Sequence, residues 1–171
     1  MKCRHIAEIG RRQFLRGGAV AGVAVAAGSS GGAARAQNGT ARVEYPSSRL
    51  ANLSELTEDT PFEVAYPDAD APGVLLKLGH PVEGGAGPDG DIVGFTTLCP
   101  HKGYPLTYAA GDRSFNCPGH YSRFDPEAGG QQIWGQATQN LPQYTLRVDD
   151  QGDIYAEGVD ELIYGRLSNV L

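Results

Sequence analysis

Four side chains able to bind a transition metal crowd into two short stretches, Cys99-Pro100-His101 and, fifteen residues on, Cys117-Pro118-Gly119-His120. Past residue 36 the chain has two cysteines and three histidines, and four of those five lie in these stretches. A structural zinc site usually draws two cysteines from one turn, because both sulfurs must reach one ion. Each stretch offers one Cys and one His instead. That division suits a binuclear 2Fe-2S cluster in which Cys99 and Cys117 hold one iron and His101 and His120 the other. Two further readings use the same residues: a mononuclear zinc or iron site, and a Cys99–Cys117 disulfide with incidental histidines, an ordinary outcome for an exported domain. His80, the remaining histidine, reads as a surface turn residue.

Replacing two anionic thiolates by neutral imidazoles leaves a cluster less negative, so it accepts an electron more readily. Such centres sit at roughly −150 to +300 mV, against about −400 mV for an all-Cys plant-type cluster. The pair of stretches predicts an acceptor for moderately reducing donors.

Both stretches need a scaffold of turns and sheets. Gly 24 and Pro 11 are spread along 171 residues, and short apolar or alternating runs recur at 62–66, 74–78, 92–96, 121–124, 144–148 and 154–156. Such runs, broken by Gly, Pro and Asp, predict an all-β antiparallel sandwich or barrel with a small inserted cluster-binding subdomain at about 96–125. Residues 37–60 read as an extended lead-in. Only Leu162-Ile163-Tyr164 suggests a helical turn, and Phe124 and Trp134 read as core packing. Residues 67–73 and 84–90 read as surface turns, because neither ends in the Lys-Ser/Thr of a phosphate cradle. No Asp cluster has EF-hand spacing.

Residues 1–36 read as an export signal and 37–171 as one domain. Arg11-Arg12-Gln13-Phe14-Leu15 is a twin arginine ahead of an apolar pair, residues 17–34 are uncharged, and Ala34-Arg35-Ala36 offers a small-x-small cleavage site. Those 18 uncharged residues just reach the approximate lower bound for a membrane span. They lack Leu, Ile and Phe, so cleavage is favoured over anchoring and a periplasmic product is expected. Without the signal, eight basic residues face 19 acidic ones, a net charge of −11. That excludes nucleic-acid binding through phosphate contacts and is compatible with steering towards a basic protein.

Taken together, the two stretches resemble the ligand loops of the Rieske 2Fe-2S protein family, closely over 96–125. The resemblance implies that Ser122 donates its hydroxyl to a cluster sulfide. Tyr104 and Gly119 occupy the positions where many members carry a second pair of cysteines that form a bracing disulfide, so packing and backbone hydrogen bonds must hold these loops. Phe124 stands where high-potential members carry a tyrosine, implying a potential below that of the respiratory bc-type proteins. The wider pattern is similar to the small subunit of arsenite oxidases. It comprises the signal, Cys99 to Gly103, Cys117 to Pro126, Gly135-Gln136-Ala137-Thr138 ahead of Leu141-Pro142, and the ending Leu162 to Arg166. This similarity implies a heterodimer with a molybdopterin large subunit that also carries a 3Fe-4S cluster, and a soluble c-type cytochrome or copper protein as acceptor. A bc-complex Rieske subunit, a dioxygenase ferredoxin and a non-redox zinc module are the alternatives.

Overall fold

The computed structural model describes residues 44–170; the export signal and its cleavage site lie outside them. Among these residues, ten strands form three antiparallel sheets. β1 (Ser48–Asn52), β10 (Asp153–Val159) and β9 (Tyr144–Val148) pair in the order β1-β10-β9. The second sheet is β2 (Phe62–Ala65), β3 (Pro72–Lys77) and β4 (Ile92–Thr96), with β3 central. The third sheet is β5 (Thr107–Ala109), β6 (Ser114–Asn116), β7 (Arg123–Asp125) and β8 (Gln131–Trp134) in sequence order. It is inserted between β4 and β9, and the expected all-β class with an inserted subdomain is observed.

The burial of β3 and β4 shows how the sheets stack. One-sided sheets alternate apolar and polar residues, whereas Val74-Leu75-Leu76 and Ile92-Val93-Gly94-Phe95 run without polar interruption and are buried. Their odd and even positions serve different cores. Leu75 and Ile92 pack with Ala51 and Ile154 of the first sheet. Val74, Leu76, Val93 and Phe95 pack with Cys99, Leu106, Phe115, Cys117 and Phe124 of the insertion. The second sheet is therefore a middle layer. β4 is joined to the segment entering β9 by the Thr96 N–H donating to the Pro142 carbonyl at 3.1 Å.

A polar contact also ties the insertion to the middle sheet. Arg113, in the β5–β6 turn, donates to Asp59 at 2.8 Å and to Glu127 at 3.1 Å. Tyr108 donates to Asp59 as well, and burial followed by the Asp59 carboxylate pushes its phenol up to about 12. These groups are about one-third exposed, so each pair contributes about 1 kcal/mol or less. His80 is not an isolated surface residue: its Nδ1 lies 3.0 Å from the Leu78 carbonyl and 3.2 Å from Arg113.

Several expectations need correction. The lead-in holds a strand, β1. The run at 121–124 becomes strand only at Arg123, because Tyr121 takes a left-handed conformation (φ 62°) and Ser122 turns inward. Leu162-Ile163-Tyr164 forms no helix. Ile163 is buried, and its N–H donates to the Asn169 side chain at 2.9 Å. Trp134, on the outermost strand of the inserted sheet, is exposed and not a core residue. The insertion also extends past Asp125 to include β8.

Leu76 sits where the middle sheet meets the insertion. Leu76→Ala is expected to destabilise the cluster-loaded protein by about 2–5 kcal/mol, measured as a lowered midpoint in denaturant unfolding.

Candidate functional site

The Cys99 and Cys117 segments fold as conformational copies. In the first, the Cys99 N–H donates to the Tyr104 carbonyl at 2.9 Å, and the Gly103 N–H donates to the Cys99 carbonyl at 2.7 Å. In the second, the Cys117 N–H donates to the Ser122 carbonyl at 2.9 Å, and the Tyr121 N–H donates to the Cys117 carbonyl at 3.1 Å. The residue four places after each cysteine is left-handed, Gly103 at φ 68° and Tyr121 at φ 62°. The same backbone pattern presents one Cys and one His from each loop, although only the first uses the residue type that this conformation favours.

Between the loops, Tyr104 and Gly119 meet where the resemblance places a disulfide in other proteins. A side-chain carbon at Gly119 would lie 2.7 Å from the Tyr104 ring, so the ring packs directly on the glycine backbone. Tyr104 is also edge-on to His120, with ring centroids 5.7 Å apart. The loops are braced by a contact that needs an aromatic ring on one side and no side chain on the other.

All four predicted ligands come together. Cys99 and Cys117 are buried with free thiols, so the disulfide alternative does not hold. Burial pushes the Cys99 thiol up, and the neighbouring Cys117 thiol acts in the same direction. The backbone N–H groups of His101 and Lys102 donate to the Cys99 sulfur and pull the other way. The His101 and His120 rings lie edge to face with centroids 4.7 Å apart. His120 is exposed and His101 half-buried. The His101 Nδ1 is itself buried with no hydrogen-bond partner. An unpaired buried nitrogen costs about 1–3 kcal/mol, and a metal ion would satisfy it. Two buried thiols and two adjoining imidazoles, one with this orphaned nitrogen, fit the donor set of a 2Fe-2S cluster. Among the described residues no three His, Cys, Asp or Glu side chains converge as a site for a single ion.

Ser122 is fully buried, and its hydroxyl oxygen accepts from the N–H groups of Gln136 at 3.0 Å and Ala137 at 2.9 Å. With its acceptor positions taken, its one proton is free to be donated elsewhere. Sequence reasoning found Ser122 but not the turn that sets it. Gly135-Gln136-Ala137 was visible only as part of the wider resemblance. Phe124 is buried in the cluster of side chains that includes both cysteines.

The left-handed Tyr121 carries roughly 1 kcal/mol of backbone strain. Tyr121→Gly is expected to leave the loop in place and to raise the thermal midpoint of the holoprotein slightly, or at least not lower it, in a melting experiment.

Comparisons with known proteins agree with this geometry. The model of the Rieske [2Fe-2S] domain matches residues 48–145. A twin-arginine translocation signal matches residues 8–28 and directs the chain to the periplasm. The chain is 42% identical over 162 residues to iodate reductase subunit IdrB of Denitromonas iodatirespirans, covering 93% of this chain and 85% of that protein. It is 38% identical over 158 residues to iodate reductase subunit IdrB of Pseudomonas sp. (strain SCT), covering 91% and 81%. Its fold is similar to the soluble domain of the Rieske protein II (soxF) from Sulfolobus acidocaldarius, with a TM-score of 0.64 and 24% identity over 74% of this chain and 85% of the other. With paired Cys-His loops on an inserted sheet and a family match across more than half its length, this chain belongs to the Rieske [2Fe-2S] domain family and carries a Rieske-type 2Fe-2S cluster.

Proposed function

We propose that the protein, beginning after Ala36 once its signal is removed, is the electron-transfer subunit of a periplasmic molybdopterin oxidoreductase. In this assignment Cys99 and Cys117 hold one iron and His101 and His120 the other. The observation that carries the ligand assignment is the buried, unpartnered Nδ1 of His101 beside two buried free thiols. When bound, the cluster accepts and returns one electron at a time.

The chain's own residues shape that exchange. The cysteines lie on the buried side and His120 faces solvent, so the histidine side is the short route to a partner. The Ser122 proton, left free by the two amides that occupy its oxygen, favours the more negative, reduced state. Phe124 offers no such donor, which fits a potential below that of bc-type relatives.

The substrate-converting site belongs on a large subunit carrying molybdopterin and a 3Fe-4S cluster, with a soluble c-type cytochrome or copper protein as the second electron partner. Two relatives that match almost the whole chain are iodate reductase subunits, whereas the sequence pattern suggests arsenite oxidase. The large subunit then acts on an inorganic oxyanion, arsenite or iodate. Arsenite oxidation and iodate reduction both need the same one-electron relay from this chain.

Native purification of the tagged protein is expected to recover a large subunit with molybdenum, and assays with arsenite and with iodate separate the two substrates. Recovery of cluster-loaded protein without molybdenum or activity on either would refute the subunit assignment. Ser122→Ala is expected to lower the cluster potential by up to roughly 100 mV, the loss of one hydrogen bond to a charged group in a one-electron couple, by electrochemical titration. Phe124→Tyr is expected to raise it.

A further inference from the structure

The two ligand loops are conformational copies, and a distant segment presses on each of them at the same place. Counted from its cysteine, Gly103 of the first loop matches Tyr121 of the second, and both are left-handed. Tyr104 likewise matches Ser122, their carbonyls accepting from the Cys99 and Cys117 N–H groups. On the second loop the pressing segment is the turn after β8. A side-chain carbon at Gly135 would lie 2.5 Å from the Ser122 Cα and 2.7 Å from the Tyr121 carbonyl oxygen. On the first loop it is the C-terminal tail. A side-chain carbon at Gly103 would lie 2.5 Å from Cδ1 and 2.6 Å from Cε1 of Tyr164, so the edge of that ring rests on the Gly103 backbone.

Tyr164 follows β10 in a tail with neither helix nor strand, yet it is held from both sides. Ile163 before it is fully buried, and its N–H donates to the Asn169 side-chain oxygen at 2.9 Å. Asn169 is buried as well, and its amide donates to the Glu161 carbonyl at 2.7 Å and to the Tyr45 hydroxyl at 3.0 Å. Beyond Tyr164, the Arg166 guanidinium donates to both carboxylate oxygens of Asp68, at 2.6 and 2.8 Å. A satisfied buried network of this kind specifies one path for the chain. Tyr164 itself is 41% exposed, too open for a core residue, and that path sets its ring edge on Gly103.

We propose that Tyr164 is a positioning residue for the 2Fe-2S cluster: seated on Gly103, it keeps the first ligand loop closed around Cys99 and His101 and so helps to set the potential and the retention of the cluster. The inference rests on the ligand assignment above. The physical route is short. The Gly103 N–H closes the loop on the Cys99 carbonyl at 2.7 Å, and the His101 and Lys102 N–H groups that donate to the Cys99 sulfur lie inside the same turn. Donation to sulfur favours the more negative, reduced cluster. Local opening of the turn weakens those bonds and admits water, and the ring occupies the space into which Gly103 would move. Tyr104 cannot do this, because it belongs to the first loop and moves with it. Tyr164 ties that loop to the body, since the tail is anchored on Tyr45 and Asp68, outside both loops. Two tyrosine-on-glycine contacts thus run in series, from the tail to the first loop and from the first loop to the second.

The test uses the full chain, exported and cluster-loaded. The variants are Tyr164→Ala, Tyr164→Leu, Tyr164→Phe and, as a control, Leu167→Ala at a fully exposed position of the same tail. Tyr164→Ala is expected to lower the potential in an electrochemical titration and to shift the paramagnetic spectrum. It is also expected to speed loss of iron to a chelator about tenfold, the weight of one aromatic contact. Tyr164→Leu shifts all three in the same direction by less, and it carries the test should Tyr164→Ala yield no loaded protein. Tyr164→Phe, which keeps the ring carbons that touch Gly103, and Leu167→Ala are expected to match the wild type. A ring that only stabilised the fold would lower the unfolding midpoint while the loaded Ala and Leu variants kept the wild-type potential and spectrum, and that result overturns the proposal. So does a Tyr164→Phe variant as impaired as Tyr164→Ala. Failure of the ligand assignment reads out elsewhere: a spectrum left unaltered by His101→Ala would overturn that assignment, and this proposal with it.

Discussion

Two sulfurs and two imidazoles can serve one pair of irons only if two separate loops are held face to face at constant spacing. The loops meet that demand with a shared backbone pattern, in which the cysteine N–H and carbonyl are both bonded within their own loop. Each loop is thereby a closed unit whose cysteine and histidine positions are set locally. What remains is their separation. The Tyr104 ring on the Gly119 backbone supplies it across the tip, and Leu106, Phe115 and Phe124 supply it from below. A bracing disulfide acts mainly by restricting the unfolded chain. A packed ring acts in the folded state, so its effect depends on the core beneath it.

That core explains why the middle sheet is apolar on both faces. One face is needed to bury the first sheet and the other to seat the insertion, and a single apolar strand run serves both. Placing the cysteines in this shared core removes water from the sulfur side of the site. The histidine side is left at the surface, and electron exchange with a partner is correspondingly directional. Ser122 extends the same logic, because its hydroxyl is oriented by the Gln136 and Ala137 amides of the turn after β8.

The charge distribution separates the tip from the body. Most cations are consumed by neighbouring carboxylates, which lets the body stay strongly acidic without exposing many unpaired positive groups. Beside the ligand loops Tyr104 and Tyr121 are exposed, and Lys102 is the one Lys or Arg side chain among the described residues with no ion pair.

The candidate ligand set was legible in the sequence because its chemistry is local: Cys99 with His101 and Cys117 with His120 lie within single turns, where spacing along the chain nearly equals spacing in space. The strands at 62–65, 92–96 and 144–148 were legible for a similar reason, each being an apolar run between turn residues. The short strands β5, β6 and β8 were not, because three or four residues such as Ser114–Asn116 carry no period and become strand only by pairing with neighbours. Trp134 was misread as core because side-chain type says nothing about which face of an edge strand is covered. The pairing of Tyr104 with Gly119 and the orientation of Ser122 join residues from different loops. Sequence alone determined which atoms could bind the cluster. Only the tertiary structure decided which of them are buried, which are exposed and what surrounds them, because those properties depend on segments that chain order does not bring together.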